Sequence, residues 1–199
     1  MFAVNKRFGI EKYLQEGLLA LVPVYENGYR SAVITSQAAH REPRGVPWLL
    51  ERLAAFYNLD LSLLRRRCAE LLDIKSHISM PLNENLVLVP VKVRQAREPG
   101  ETTMGYVSML QVKEITCAKD DPPWQTRLLL EGGTQLKAVN QASTMKTRME
   151  HGQIVLDAYL KHQGCGVRFK GLQREDYLKI MPNCDCLLRE EAIIRYRLG

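Results

Sequence analysis

The side chains with the clearest chemistry in this 199-residue sequence are lysines and arginines that occur in separate groups along the chain. Lys and Arg number 28 against 22 Asp and Glu, which gives a formal net charge of +6. Guanidinium and ammonium groups bind phosphate oxygens, so these groups predict contacts to DNA phosphates. The candidate DNA-binding residues are Arg65, Arg66, Arg67, Lys92, Arg94, Arg97, Lys146, Arg148, Arg168 and Lys170.

The positive charge is concentrated in residues 137–174, where seven Lys or Arg stand against two acids. This segment includes a glycine-bracketed loop, residues 164–171, that carries Arg168, Phe169 and Lys170. A basic loop of this kind can insert an arginine into a narrow minor groove, and an aromatic ring can wedge between bases. The favoured role for Phe169 is to anchor the loop to the core, which is where phenylalanine usually lies.

Catalytic motifs are missing from the sequence. It has no glycine-rich loop followed by Lys-Ser/Thr, no Gly-x-Ser-x-Gly and no His-Glu-x-x-His. The four histidines are scattered without paired carboxylates at fixed spacing: His40, His77, His151 and His162. We therefore expect no enzymatic activity.

The five cysteines are an odd number, and no signal peptide precedes them, which favours free thiols and a cytoplasmic location. Cys165, Cys184 and Cys186 are the only set that invites a metal-binding interpretation. Their spacing fits none of the common zinc templates, which separate paired cysteines by two or more residues. We expect no metal and no cofactor.

A helix pair is predicted over residues 47–73 and would position the three consecutive arginines. Pro47 suits a first helical turn, and apolar residues recur at helical spacing on both sides of a break at residues 58–60. Asp60 or Ser62 can cap the second helix. This is the pattern of a helix-turn-helix unit with its arginines on DNA phosphates. The same pattern also fits two packed helices that do not contact DNA and whose arginines face solvent.

The strands are predicted to form an antiparallel meander of five or six strands. An Asn-Gly turn joins two apolar runs at residues 18–24 and 29–35, and a loop over residues 41–45 leads to the helix pair. Residues 86–91 form a buried strand and 104–115 a second one, with a basic loop between them. Residues 126–130 and 134–139 make a hairpin around Gly132-Gly133.

One long helix is predicted in the C-terminal half, from Ser143 or Thr144 to about residue 162. The candidate inward residues are Met145, Met149, Ile154, Leu156 and Tyr159. The same periodicity predicts a basic stripe on the outer surface, which consists of Lys146, Arg148, Lys161 and His162. Gly152 in mid-helix lowers the helix propensity.

The order of features in residues 74–115 resembles the central signature of the ComK family, the competence transcription factors. His77 is followed by Met80-Pro81, an Asn-rich turn and an apolar strand that ends at Pro90. A basic loop, Gly105-Tyr106 and a strand that ends in Val112-Lys113 come next. The resemblance extends over roughly residues 13–160.

The resemblance implies a cytoplasmic transcription activator that binds AT-rich double-stranded DNA largely through the minor groove. It also implies a homo-oligomer on paired DNA boxes, with the proteolytic adaptor MecA and RNA polymerase as protein partners and no membrane. We expect one α+β domain over residues 1–199, with a loosely attached tail from residue 164. The alternatives are a helix-turn-helix regulator that uses residues 47–73, and a protein-interaction module that does not bind DNA.

Overall fold

The computed structural model describes residues 9–118 and 122–163, with side chains through residue 161. The first half contains three helices and five strands: α1 (Ile10–Gln15), β1 (Leu18–Glu26), β2 (Tyr29–Thr35), β3 (Ala39–Glu42), α2 (Val46–Phe56), α3 (Leu61–Leu72), β4 (Met80–Asn83) and β5 (Leu86–Lys92). The second half contains four strands and one helix: β6 (Met104–Ser108), β7 (Val112–Cys117), β8 (Thr126–Leu130), β9 (Gln135–Ala138) and α4 (Ala142–Gln163). The predicted α+β class is confirmed.

A six-stranded antiparallel sheet forms the centre of the fold, in the order β3-β2-β1-β6-β5-β4. It consists of two three-stranded meanders that meet where Leu21 of β1 pairs with Tyr106 of β6. At this junction a β-carbon on Gly105 would lie 2.5 Å from the carbonyl oxygen of Leu21. No other residue type fits between β1 and β5 at this position without displacing backbone.

The first hairpin and the helix pair are as predicted. Asn27 and Gly28 both have positive φ angles, 52° and 82°, as a two-residue hairpin turn requires. At the start of α3 the Asp60 carboxylate accepts a 2.8 Å hydrogen bond from the amide of Leu63. This cap satisfies an amide that the helix itself leaves unpaired.

The edge strands β3 and β4 were not predicted. β3 pairs with β2 where we expected a loop, and it alternates between exposed and half-buried residues without a strong apolar face. β4 is only four residues long and contains Pro81, which weakens any strand pattern. Short edge strands of this kind carry little periodic signal.

The predicted strand at residues 104–115 is wrong as a single element. A short 3-10 turn, Met109–Gln111, divides it into β6 and β7. β6 belongs to the six-stranded sheet, whereas β7 joins a separate three-stranded sheet in the order β7-β8-β9. Both faces of residues 104–115 carry a mixture of apolar and polar side chains, because the two halves of this stretch belong to different sheets.

The long helix α4 packs on one face of the central sheet. Met145, Val155 and Leu156 are buried, whereas Ile154, predicted to point inward, is 46 % exposed. A β-carbon on Gly152 would lie 2.5 Å from Met109 Sδ and 2.9 Å from Val89 Cγ2. Gly152 therefore allows the helix backbone to approach the sheet closely, which explains a glycine in mid-helix.

The described residues up to Ala158 belong to one compact unit, and the second unit, Tyr159–Gly199, is described only over the end of α4. The predicted tail boundary at residue 164 stays a prediction. No helix within residues 9–118 and 122–163 is long and apolar enough to cross a membrane.

Candidate nucleic-acid interface

The arginines of α3 form an exposed basic group. Arg65, Arg66 and Arg67 are all exposed, and the next residue, Cys68, is buried against the rest of the fold. Successive helical residues are about 100° apart around the axis, so the three arginines cover a broad outer arc. In the described part of the chain no carboxylate lies within 4.0 Å of any of the three guanidinium groups.

Arg65 differs from its two neighbours because it contacts the sheet. Its guanidinium lies close enough to the phenol of Tyr106 on β6 to lower the pKa of that hydroxyl. Burial raises the pKa of Tyr106, and the positive charges of Arg65 and Arg148 oppose that rise. The phenol of Tyr106 is therefore favoured in its neutral form. Arg65 is engaged with the sheet, whereas Arg66 and Arg67 have no described hydrogen-bond or ion-pair partner.

The loop after β5 folds onto Glu101. The Glu101 carboxylate accepts 2.8 Å hydrogen bonds from Arg94 Nη2 and from the backbone amide of Arg97. The Arg94 guanidinium also lies 4.7 Å from the centre of the Tyr25 ring. The amide of Arg97 is the main reason that the pKa of Glu101 is lowered, and the Arg94 charge adds to it. The charge of Arg94 is thus neutralised within the loop, whereas the side chain of Arg97 is exposed.

The expectation that Arg148 lies on an outer basic stripe is wrong. Arg148 is only 8 % exposed, and its Nη1 donates a 2.9 Å hydrogen bond to the carbonyl of Pro90. Lys146 and Lys161 are exposed on α4 as expected. The side chain of His162 lies outside the described residues, as do Arg168 and Lys170.

The predicted basic residues do not form one continuous surface. Val89 of β5, which α4 approaches at Gly152, and Tyr106 of β6, which Arg65 of α3 contacts, point to opposite faces of the sheet. Helices α3 and α4 therefore cover opposite faces. Arg66 and Arg67 are separated from Lys146 by the thickness of the sheet.

A basic and aromatic group at the start of α2 was missed by the sequence analysis. Arg44 and Arg52 lie 5.8 Å and 5.3 Å from the centre of the Trp48 ring. Trp48 and Arg52 are four residues apart on α2, a spacing that brings side chains together on one side of a helix, and Arg44 lies in the loop just before it. That spacing is the signal that could have identified them. Arginine stacked on an aromatic ring is also a common arrangement at nucleic-acid-binding surfaces.

Metal binding has no support in residues 9–118 and 122–163, where no group of three or more His, Cys, Asp or Glu could hold an ion. Two cysteines fall in this part of the chain, and both are free thiols: Cys68 is buried and Cys117 is exposed. The three cysteines considered as zinc ligands lie outside the described residues.

Comparison of the chain with protein families, with curated proteins and with solved structures found no match.

Proposed function

We propose that this protein is a cytoplasmic transcription regulator that binds double-stranded DNA, with Arg66 and Arg67 of α3 as phosphate contacts. The observation that carries the proposal is the exposed arginine group of α3, which no described carboxylate neutralises. Unpaired surface cations release counterions from DNA when they bind its phosphates, and this release drives association. Lys92 and Arg97 are the additional candidates near the end of β5.

The preference for AT-rich DNA and the oligomeric state are parts of the proposal that come from the ComK resemblance. A narrow AT-rich minor groove has a strong negative potential and attracts arginine. Arg97 is an exposed arginine of a loop, the kind of side chain that reaches into a groove.

The test is a fluorescence-anisotropy titration of the full chain against AT-rich and GC-rich duplexes at two salt concentrations. We expect tighter binding to the AT-rich duplex, weakening as salt rises, and loss of binding in the presence of a minor-groove competitor. The Arg66→Ala/Arg67→Ala variant should bind both duplexes more weakly. The matched control is Arg30→Ala/Arg127→Ala, which removes the same charge from exposed positions on β2 and β8. Failure of the wild-type chain to bind either duplex at low salt would rule out the proposal.

The geometry of the helix pair favours a second candidate, in which α3 lies in the major groove. A four-residue connection, residues 57–60, separates α2 from α3, and Asp60 caps the second helix. In that mode Arg65→Ala and Arg67→Ala alter which bases are preferred. In the phosphate-contact mode they lower the affinity for all duplexes to the same extent.

A further inference from the structure

The edge of β5 beyond its pairing with β4 is covered by residues 139–140 and by Arg148 rather than by another strand. β4 pairs with β5 only as far as Leu88, so Pro90 and Lys92 present their backbone groups at an open edge. Arg148 Nη1 donates a 2.9 Å hydrogen bond to the Pro90 carbonyl. The Asn140 side chain accepts a 2.7 Å hydrogen bond from the Lys92 amide, and the Val139 amide donates one of 2.7 Å to the Lys92 carbonyl.

Arg148 brings a buried positive charge to this edge without a compensating negative charge. Its described partners are neutral: the Pro90 carbonyl and, close by, the Tyr106 phenol. No carboxylate of the described chain lies within 4.0 Å of its guanidinium. An unpaired buried charge is unfavourable, and proteins normally place a counter-ion beside one. Burial accordingly lowers the pKa of Arg148.

Two further side chains lie near the same edge. Lys92 is half-buried at the end of β5, two residues beyond the carbonyl that Arg148 binds. His77, three residues before β4, is exposed and has a left-handed backbone with a φ of 56°. Burial lowers the pKa of His77, and the positive charges of Arg148 and Lys92 lower it further. The imidazole is therefore favoured in its neutral form, as a hydrogen-bonding group beside two cations.

The imidazole of His77 has a free nitrogen for a ligand. Its Nδ1 lies 3.0 Å from the Ser76 hydroxyl, which leaves Nε2 without a described partner. Arg65 adds a further positive charge near Tyr106, which lies opposite Pro90 on the neighbouring strand. Arg148, Lys92 and Arg65 thus bring positive charge to this part of the sheet, and no described carboxylate lies within 4.0 Å of any of them.

We propose that Arg148, Lys92 and His77 form a binding site for a tetrahedral oxyanion of the phosphate class, with the buried guanidinium at its base and His77 at its mouth. A charged guanidinium can donate several hydrogen bonds, and only one of its donors is committed to Pro90. Phosphate offers the matching acceptors and supplies the missing negative charge. A phosphate of the DNA backbone and a free phosphate have this chemistry in common. The site is independent of duplex binding through α3.

The test measures binding of inorganic phosphate to the full chain by calorimetry and by thermal denaturation. Sodium chloride at matched ionic strength serves as the blank. We expect saturable binding and a rise in Tm with phosphate only. Loss of one charge-assisted contact weakens binding by about tenfold or more, so Lys92→Ala and His77→Asn should each do so. Asn tolerates the left-handed backbone of position 77. Arg127→Ala, an exposed arginine on β8, is the control and should bind phosphate like the wild type.

The source of the phosphate is identified by repeating the duplex titration with the same variants. If Lys92→Ala and His77→Asn weaken duplex binding as well as phosphate binding, and free phosphate displaces the duplex, the site holds a DNA phosphate. If duplex binding is unchanged, the site holds a free phosphate; both results support the site. Absence of phosphate binding, or equal binding by the wild type and both site variants, would overturn it. If the wild-type chain binds phosphate but no duplex, the phosphate site is supported and the proposed DNA-binding function is ruled out.

Discussion

The arginines of this chain have different roles because the groups around them differ. Arg94 is neutralised by Glu101, Arg148 is buried on a backbone carbonyl, and Arg66 is exposed without a described carboxylate. Electrostatic interactions between exposed charges are weak and easily screened, whereas a buried cation requires a partner. Residue type alone therefore predicts affinity for anions, and the surroundings decide which arginine is available.

Glu16 is the clearest case of a carboxylate held in its charged form. It accepts a 3.1 Å hydrogen bond from the Thr35 hydroxyl and lies 2.5 Å from His40 Nε2. Burial raises the pKa of Glu16, but the hydrogen bonds from His40 and Thr35 and the nearby charges outweigh it, and the net shift is downward. A lowered pKa in the folded state stabilises the protein above the unfolded-state pKa, and this contribution is lost as the pH falls.

At the residue scale we predict that Glu16→Gln weakens the dependence of stability on pH in acid. Wild-type stability should fall as the pH drops below about 4.3, the ordinary value for an unfolded glutamate. The variant cannot lose this contribution, so its acid slope should be smaller. The measurement is the urea midpoint between pH 7 and pH 3.5. Glu51→Gln, at an exposed position on α2, is the control and should retain the wild-type slope. An unchanged slope in Glu16→Gln would contradict the prediction.

At the scale of elements, close contact between α4 and the central sheet depends on one glycine and one break in a strand. The 3-10 turn Met109–Gln111 ends β6 and places Met109 against the position where Gly152 faces the sheet. The same turn allows the chain to leave the six-stranded sheet and enter the three-stranded one. The helix and both sheets therefore meet at this turn.

We predict that Gly152→Ala destabilises the protein although alanine favours helix. The gain in helix propensity is about 1 kcal/mol, and overpacking costs about 1–3 kcal/mol. The Met109 thioether can move aside, but Val89 Cγ2, at 2.9 Å, belongs to a stiff side chain on a buried strand. The measurement is the free energy of unfolding in urea.

The control for Gly152→Ala is Ile154→Ala on the same helix. Ile154 is 46 % exposed, so its truncation should change the free energy of unfolding by about 0.5 kcal/mol or less. If Gly152→Ala stabilised the protein, the close approach of helix and sheet would not be a constraint.

At the scale of the whole molecule, exposed basic residues of the described chain lie on both faces of the sheet rather than on one, with Arg66 and Arg67 on one side and Lys146 on the other. A duplex that binds the α3 face engages Arg66 and Arg67 and leaves Lys146 on the other side. The number of phosphates neutralised is therefore smaller than the number of basic residues.

The salt dependence of duplex binding should measure that number. We predict that each arginine removed from α3 reduces the slope of log K against log salt by about 0.9, the contribution of one phosphate contact on a duplex. Arg66→Ala/Arg67→Ala should lose about twice this amount, and Lys146→Ala should leave the slope unchanged. The measurement is a titration at four or more salt concentrations. A slope that changes with Lys146 and not with the α3 pair would place the DNA on the opposite face.

Local features of the sequence determined most of the elements. The Asn-Gly turn, the Pro47 helix start, the Asp60 cap and the apolar run at residues 86–91 each specify a conformation through their neighbours, and each prediction is confirmed. Composition likewise determined the excess of positive charge. The functional predictions from the ComK resemblance remain open to the experiments above.

Only the tertiary structure decided which of those elements lie together. The pairing of β1 with β6 and the division of residues 104–115 between two sheets depend on contacts far apart in the chain, which periodicity does not encode. The burial of Arg148 is the clearest example, because the sequence of α4 does not determine whether this side chain points to solvent or into the protein. The carbonyl that Arg148 binds lies 58 residues away in the sequence, on an edge of β5 that exists only because β4 is short.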